Sequence, residues 1–188
     1  MKILLTYFKP FGNIGTNSSE CVANRLNIGK IGLDVSYGND FARVKEAFDR
    51  GGYDFIIMLG QAAGREKISV EKRARNYANP ALKDNLGVLP VEVIEAGNDE
   101  FLYTSFDTQK LLSGDAKESD DAGSYLCNFL YFKVLSNLTK NALFVHLPLF
   151  TGQVEGGDNP SMDLDVMVRE TERIIKHVEN DGENAALY

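Results

Sequence analysis

The 188-residue chain contains no tryptophan, only two cysteines and only two histidines. Cys21 and Cys127 lie too far apart for a CxxC unit. Neither a disulfide framework nor a structural zinc site is expected, and free thiols point to a reducing compartment. Basic residues are in deficit, with Lys and Arg at 20 against 27 for Asp and Glu. A formal net charge of −7 argues against nucleic acid and anionic membrane as main partners, because both demand a basic footprint. Apolar runs all fall short of the roughly 20 residues that cross a bilayer. Met1 to Thr6 is too short and too soon interrupted for the apolar region of a signal peptide. A cytoplasmic protein is expected. There is no internal repeat, no low-complexity tract and no linker long enough to divide the chain.

What is there is an alternation of strand-like and helix-like segments. Lys2 to Tyr7 is an apolar run halted by Phe8-Lys9-Pro10-Phe11-Gly12-Asn13, a strand entering a tight loop. Ser18 to Leu26 reads as a helix capped by Asn17 or Ser18, and Leu33 to Tyr37 as a weak strand. Asn39 or Asp40 caps a helix with the stripe Phe41, Val44, Ala47 and Phe48, closed by Gly51-Gly52. Tyr53 to Gly60 is continuously apolar, as a central strand covered on both faces should be. Ile68 to Arg75 alternates, predicting a strand with one wet face to which Glu71 points. Asn76 to Gly87 reads as loop, Val88 to Ile94 as a short extended piece and Asp107 to Leu112 as a short helix. Polar Ser113 to Asp121 reads as a solvated loop. Ala142 to Pro148 is a second buried strand, stopped by proline. After a glycine-rich loop over Thr151 to Asn159, Pro160-Ser161 opens a last helix. Its stripe is Met162, Val166, Met167, Ile174 and Val178, with His177 on the surface in its last turn. The pattern predicts a single three-layer α/β/α domain around a mixed, mostly parallel sheet over residues 1–179, with a frayed tail over 180–188.

In open α/β sheets ligands bind at the C-terminal edge of the strands, and the informative residues fall there. Gly60-Gln61-Ala62-Ala63-Gly64-Arg65 follows a buried strand but has neither the dinucleotide nor the P-loop spacing, so no nucleotide or other cofactor is expected. Asp120-Asp121-Ala122-Gly123-Ser124 gives way to the helical apolar series Tyr125, Leu126, Phe129, Leu130, Val134, Leu135 and Leu138. A helix therefore starts near Ala122 to Ser124, with Asp120, Asp121 or Ser124 as cap. Cys127 sits in its first turn, where unpaired N–H groups and the helix dipole favour thiolate. A buried small hydrophobe is the ordinary alternative for such a cysteine. His146 ends a core strand, a good position for chemistry, although a satisfied core histidine is commoner. A cysteine hydrolase needs a thiolate, an imidazole and a group that orients the imidazole. With His177 on a surface helix, His146 is the only credible base, and Glu71 is a suitable third group.

Several segments, in order, resemble the pyroglutamyl peptidase I family of cytosolic cysteine exopeptidases. They are Thr6-Tyr7-Phe8-Lys9-Pro10-Phe11-Gly12, Gly60 to Arg65 with Ile68-Ser69-Val70-Glu71-Lys72, Asp84-Asn85-Leu86-Gly87, Ser119 to Asn128, Phe144-Val145-His146-Leu147-Pro148, and Pro160-Ser161-Met162. The resemblance implies hydrolysis of the amide bond after an N-terminal pyroglutamyl residue through an acyl-enzyme. By the same resemblance Cys127 is the nucleophile, His146 the base and acid, and Glu71 the residue orienting His146. Phe8, Phe11 and Gln61 stand where the family binds the lactam, a flat neutral ring that calls for apolar walls and a few polar groups. The implied partners are peptides or proteins with N-terminal pyroglutamate, and several family members are tetramers, which implies a homo-oligomer. Three features depart from the family. Tyr7 replaces the usual glycine, predicting a narrowed pocket or reshaped loop. Ala81 stands where bacterial members carry an arginine that helps hold the oxyanion, which leaves the Cys127 N–H as donor and the second donor unassigned. Gly97 to Glu118 is short, predicting loss of an edge strand, altered oligomerisation or looser support under Cys127. These departures keep two alternatives open: a hydrolase for another N-terminal amide or lactam, and a catalytically silent homologue that binds a small ligand.

Overall fold

In a computed structural model describing residues 1–12, 15–154 and 159–185, the backbone alternates strands and helices largely where the apolar pattern places them. Strand β1 (Ile3–Phe8), helix α1 (Ser18–Arg25), strand β2 (Lys30–Leu33), helix α2 (Asn39–Gly51) and strand β3 (Phe55–Gln61) come first. Strands β4 (Ile68–Glu71), β5 (Arg73–Arg75) and β6 (Phe101–Tyr103) follow, then a 3-10 turn over Thr108–Leu111 and strand β7 (Ala116–Ser119). Helix α3 (Leu126–Asn137), strands β8 (Ala142–Leu147), β9 (Leu149–Phe150) and β10 (Ser161–Met162), and helix α4 (Leu164–Ala185) complete the chain.

The main sheet has the order β2-β1-β3-β8-β4-β7. All its pairs are parallel except β4 with β8, which is antiparallel. Helices cover both faces. Alternate strand residues divide between two apolar layers, as a period of two requires. Leu5, Ile57, Val70 and Val145 pack with Val22 of α1 and Ile174 of α4, whereas Ile56, Met58 and Phe144 pack with Val44 of α2 and Leu130 of α3. This is the mixed, mostly parallel α/β sheet expected.

Several local expectations need correction. Ser113 to Asp121 is not a solvated loop throughout: Ala116–Ser119 forms edge strand β7, hydrogen-bonded in parallel to β4, so the short segment before α3 does supply an edge strand. The second strand is Lys30–Leu33, ahead of the expected Leu33 to Tyr37, and Val88 to Ile94 forms no strand. Gly38, not Asn39 or Asp40, is the N-cap of α2, and the Asp40 carboxylate instead accepts from the N–H groups of Asp34 and Ser36. Pro160-Ser161 leads into β10, and α4 starts at Leu164 beneath Asp163, whose Oδ1 accepts from the N–H groups of Asp165 and Val166. Helix α4 continues beyond Asn180 to Ala185, which removes His177 from the last turn. Asn13, residues 155–158 of the glycine-rich loop and residues 186–188 of the expected tail lie outside the described residues.

One turn shapes the loop after β2. Val35 is buried at φ 62°, a left-handed conformation that strains a β-branched residue. Two side chains hold it there. The Asp84 carboxylate accepts from the N–H groups of Tyr37, Leu86 and Val88 at 2.8–2.9 Å. The Asn85 N–H donates to the Val35 carbonyl at 3.1 Å, and its side-chain amide to the Asp34 carbonyl at 3.0 Å. Replacing Asp84 leaves three backbone donors without their acceptor. Asp84→Ala is therefore expected to lower stability by about 2–3 kcal/mol, read from urea unfolding midpoints at constant m-value.

Candidate active site

Strand parity gathers the site on the α3 face of the sheet. Leu59 and Val145 belong to the opposite layer, so Gly60 and His146, which are register partners across β3 and β8, face α3. On β4, Ile68 and Val70 likewise face away, which turns Ser69 and Glu71 toward α3. His146 pairs with Ser69 and Phe144 with Glu71. Because β4 runs antiparallel to β8, advancing along β4 leads inward from the rim, and Glu71 lies below His146.

Glu71 is fully buried, which overturns the expectation of a wet face. The α3 helix covers that surface: the Tyr131 hydroxyl donates to the Glu71 carbonyl at 2.9 Å. Glu71 Oε1 lies 2.8 Å from His146 Nδ1, with the His146 side chain only 5% exposed. A cation reaches the same oxygen, Arg65 Nη1 at 3.1 Å. Burial lowers the His146 pKa below its ordinary value, and the hydrogen bond and charge of Glu71 oppose that shift.

Cys127 enters from α3, which starts later than expected. Tyr125 is the N-cap and makes no side-chain cap bond. Asp121 instead accepts from the Gly123 N–H at 2.9 Å, and Gly123 adopts φ +82° in the turn that delivers the helix. The uncapped first turn leaves Cys127 beside N–H groups that can meet an anion. Next to it, buried Asn128 fixes the helix start: its Oδ1 accepts from the Arg75 N–H, and its Nδ2 donates to the carbonyls of Arg75 and Tyr77, all at 2.8 Å. The sulfur rests on Gly60, where a Cβ would come within 2.9 Å of Cys127 Sγ and 2.8 Å of the Phe144 ring. Phe144 in turn lies against His146, with ring centroids 4.7 Å apart. Burial pushes the Cys127 thiol up to about 12 and the Glu71 charge adds to this, while Arg65 and the residue's own N–H act the other way. A lone thiolate is disfavoured here, so the sulfur's proton needs a nearby acceptor.

Beside the sulfur is a cavity of about 40 Å³ lined by Phe8, Phe11, Asn17, Val35, Gln61, Tyr125, Leu126 and Cys127. Phe8, Phe11 and Gln61, the three expected ligand-binding residues, therefore share one pocket with Cys127. Gln61 Oε1 accepts from the Ser18 N–H and from Gln153 Nε2, each at 2.8 Å, while its NH₂ finds no acceptor among the described residues. Tyr7 lies on the other face of β1, where its ring packs against Gly32, and does not line the pocket. Its bulk therefore gives no reason to expect a different ligand. Sequence reasoning missed Arg65, Asn17, Val35, Tyr125 and Asn128. Strand parity gives no access to these residues, because all sit in loops or at the start of a helix.

A model of the pyroglutamyl peptidase family matches residues 1–180. Pyrrolidone-carboxylate peptidase 1 of Caldanaerobacter subterraneus subsp. tengcongensis is 31% identical over 196 residues, spanning 94% of this chain and 97% of its own. Pyrrolidone-carboxylate peptidase of Lactobacillus acidophilus is 31% identical over 197 residues, spanning 94% and 98%. Among solved structures, pyroglutamyl peptidase I from Bacillus amyloliquefaciens superposes with a TM-score of 0.84 at 28% identity, covering 91% of each chain. Pyrrolidone carboxyl peptidase from Thermococcus litoralis gives 0.87 at 28% identity, covering 98% of this chain and 96% of its own.

The close approach at Gly60 makes a direct test of the packing. Gly60→Ala places a methyl group against Phe144 and the Cys127 sulfur. It is expected to cost about 1–3 kcal/mol of stability, read by denaturant unfolding, and to change the alkylation rate of Cys127 in the folded protein.

Proposed function

This chain belongs to the pyroglutamyl peptidase family, and we propose that Cys127 is its nucleophile, His146 its base and acid, and Glu71 the group that orients His146. It is a cysteine peptidase of the pyroglutamyl peptidase I type, acting on peptides with an N-terminal pyroglutamyl residue. The observation that carries the assignment of roles is the buried Glu71–His146 pair on the sheet face where Cys127 meets Gly60, the strand neighbour of His146.

With Nδ1 engaged by Glu71, His146 presents Nε2 to the reaction. The Cys127 proton passes to Nε2 as the sulfur attacks the pyroglutamyl carbonyl, so the thiolate forms together with an imidazolium. This supplies the proton acceptor that burial of the thiol makes necessary. The Cys127 N–H at the start of α3 donates to the developing oxyanion. Collapse of the tetrahedral species breaks the C–N bond, and the departing amine takes the proton from His146, leaving a thioester. Water then gives a proton to His146 and attacks the thioester. Pyroglutamate leaves, and the sulfur recovers its proton. Phe8, Phe11, Val35 and Tyr125 offer apolar walls for the lactam ring, and the Gln61 amide offers a donor to its carbonyl.

The same reading puts the protein in the cytoplasm, where a reduced thiol persists. No described helix is long and apolar enough to cross a membrane. Leu86, Val88, Leu89, Val91 and Val93 are exposed along one stretch, which supports self-association of the chain. Sedimentation is expected to give a mass above the monomer, and a monomer at every concentration would exclude it.

Freshly reduced protein is expected to hydrolyse a pyroglutamyl-aminocoumarin reporter. Cys127→Ala and His146→Ala should each lower kcat/KM by about 10³-fold or more, and Glu71→Gln by roughly 10²- to 10⁴-fold. Absence of turnover across several pyroglutamyl substrates would overturn the reading.

A further inference from the structure

Arg65, on the loop between β3 and β4, lies outside the three proposed catalytic residues yet ties their supports together. Its Nη1 lies 3.1 Å from Glu71 Oε1 and donates to Ser119 Oγ at 3.1 Å, and its Nη2 donates to the Asp121 carbonyl at 2.7 Å. One guanidinium thus joins the end of β4, the end of β7 and the turn that leads into the Cys127 helix. Such a planar group with several fixed donors suits a three-way junction, and lysine does not reproduce it.

The charges give the junction a second role. Glu71 is fully buried, whereas the Arg65 side chain is 22% exposed. A buried carboxylate requires a counter-charge. His146 carries one only while it holds the proton from sulfur or water. When the imidazole is neutral, Arg65 is the one cation touching Glu71 among the described residues. Resting on the reading of Cys127, His146 and Glu71 given above, we propose that Arg65 is a positioning residue. It fixes Glu71 against the turn that delivers Cys127, and its charge sets the pH window in which thiolate and imidazolium coexist.

The groups facing that pair are Glu71 from β4, Arg65 from the β3–β4 loop, Asp121 from the turn before α3, Tyr125 at the N-cap of α3 and Tyr131 on α3. Arg65 is the cation of this set. Its field favours proton release from both Cys127 and His146, opposite to that of Glu71. Removing the charge therefore moves both ionisations to higher pH. Loss of packing alone lowers the rate and leaves the two inflections in place.

The test is the pH dependence of Cys127 alkylation by iodoacetamide, resolved from Cys21 by peptide mass spectrometry, together with the pH profile of kcat/KM. Arg65→Gln is expected to shift both limbs upward by about one pH unit, with at least a tenfold loss in kcat/KM at neutral pH. Arg65→Lys is expected to keep the limbs near those of the wild type, because the charge remains, while losing rate because the three-way junction is broken. Unmoved limbs in Arg65→Gln, or limbs in Arg65→Lys displaced as far as in Arg65→Gln, would overturn the proposal. Arg65→Met takes the place of Arg65→Gln if that variant does not fold, and failure of both neutral variants to fold would make Arg65 a folding residue and also end the proposal. Alkylation needs no substrate. Absent turnover with shifted limbs would count against the peptidase reading alone, and turnover with fixed limbs against Arg65 alone.

Discussion

A carboxylate without access to solvent is the constraint around which this site is arranged. Glu71 is fully buried and meets His146 Nδ1 at 2.8 Å. Burying such a group costs several kcal/mol unless hydrogen bonds and counter-charges compensate. The antiparallel course of β4 creates the situation. Entering at the rim and running inward, the strand carries Glu71 to the level of Phe144, below His146. A parallel strand in the same place would have carried its last residues toward solvent.

Much of the nearby architecture can be understood as support for that placement. Tyr131 closes the α3 side by bonding the Glu71 carbonyl, and Arg65 reaches the carboxylate from the opposite loop. Asn128 satisfies the backbone of Arg75, at the end of β5, and of Tyr77 with three bonds, which fixes where α3 begins and therefore where Cys127 stands. On the ligand side, the Asp84-Asn85 turn holds Val35 in a conformation it would not adopt alone, making a firm wall from a loop. The pocket and the proton-transfer groups thus rest on different parts of the chain and meet only at Cys127.

The strong strands were legible because both their faces are covered. Phe55 to Gly60 and Ala142 to Val145 are apolar without interruption, and they place Gln61 and His146 at the strand ends where the structure has them. Cys127 was legible as a first-turn residue, although the helix begins at Leu126 because Asp121 serves the turn and Asp120 pairs with Lys72 instead of capping. Glu71 shows where reading from sequence stops. The alternation of Ile68 and Val70 defines one apolar face of β4 but does not say what covers the other, and the answer is a helix more distant in sequence. Strand β7 escaped for a related reason: as an edge strand with only Ala116 fully buried, Ala116–Ser119 needs no apolar pattern. Conversely, the apolar pattern of Val88 to Ile94 finds no sheet edge, and Val88, Leu89, Val91 and Val93 remain exposed. Arg65 is a single residue in a loop, whose meaning depends on three acceptors scattered over the chain.

The anchoring of α3 also bears on how the molecule loses its site. Asn128 and Tyr131 lie on the same helix as Cys127, so a fluctuation that lifts the helix start breaks the bonds to Arg75 and Tyr77 and uncovers Glu71 in the same event. Opening of this kind is cooperative and proceeds in contiguous units. Slow-exchanging amides should therefore cluster across α3, β4 and β8, and the pocket wall at Cys127 should be lost in the same step as the cover over Glu71.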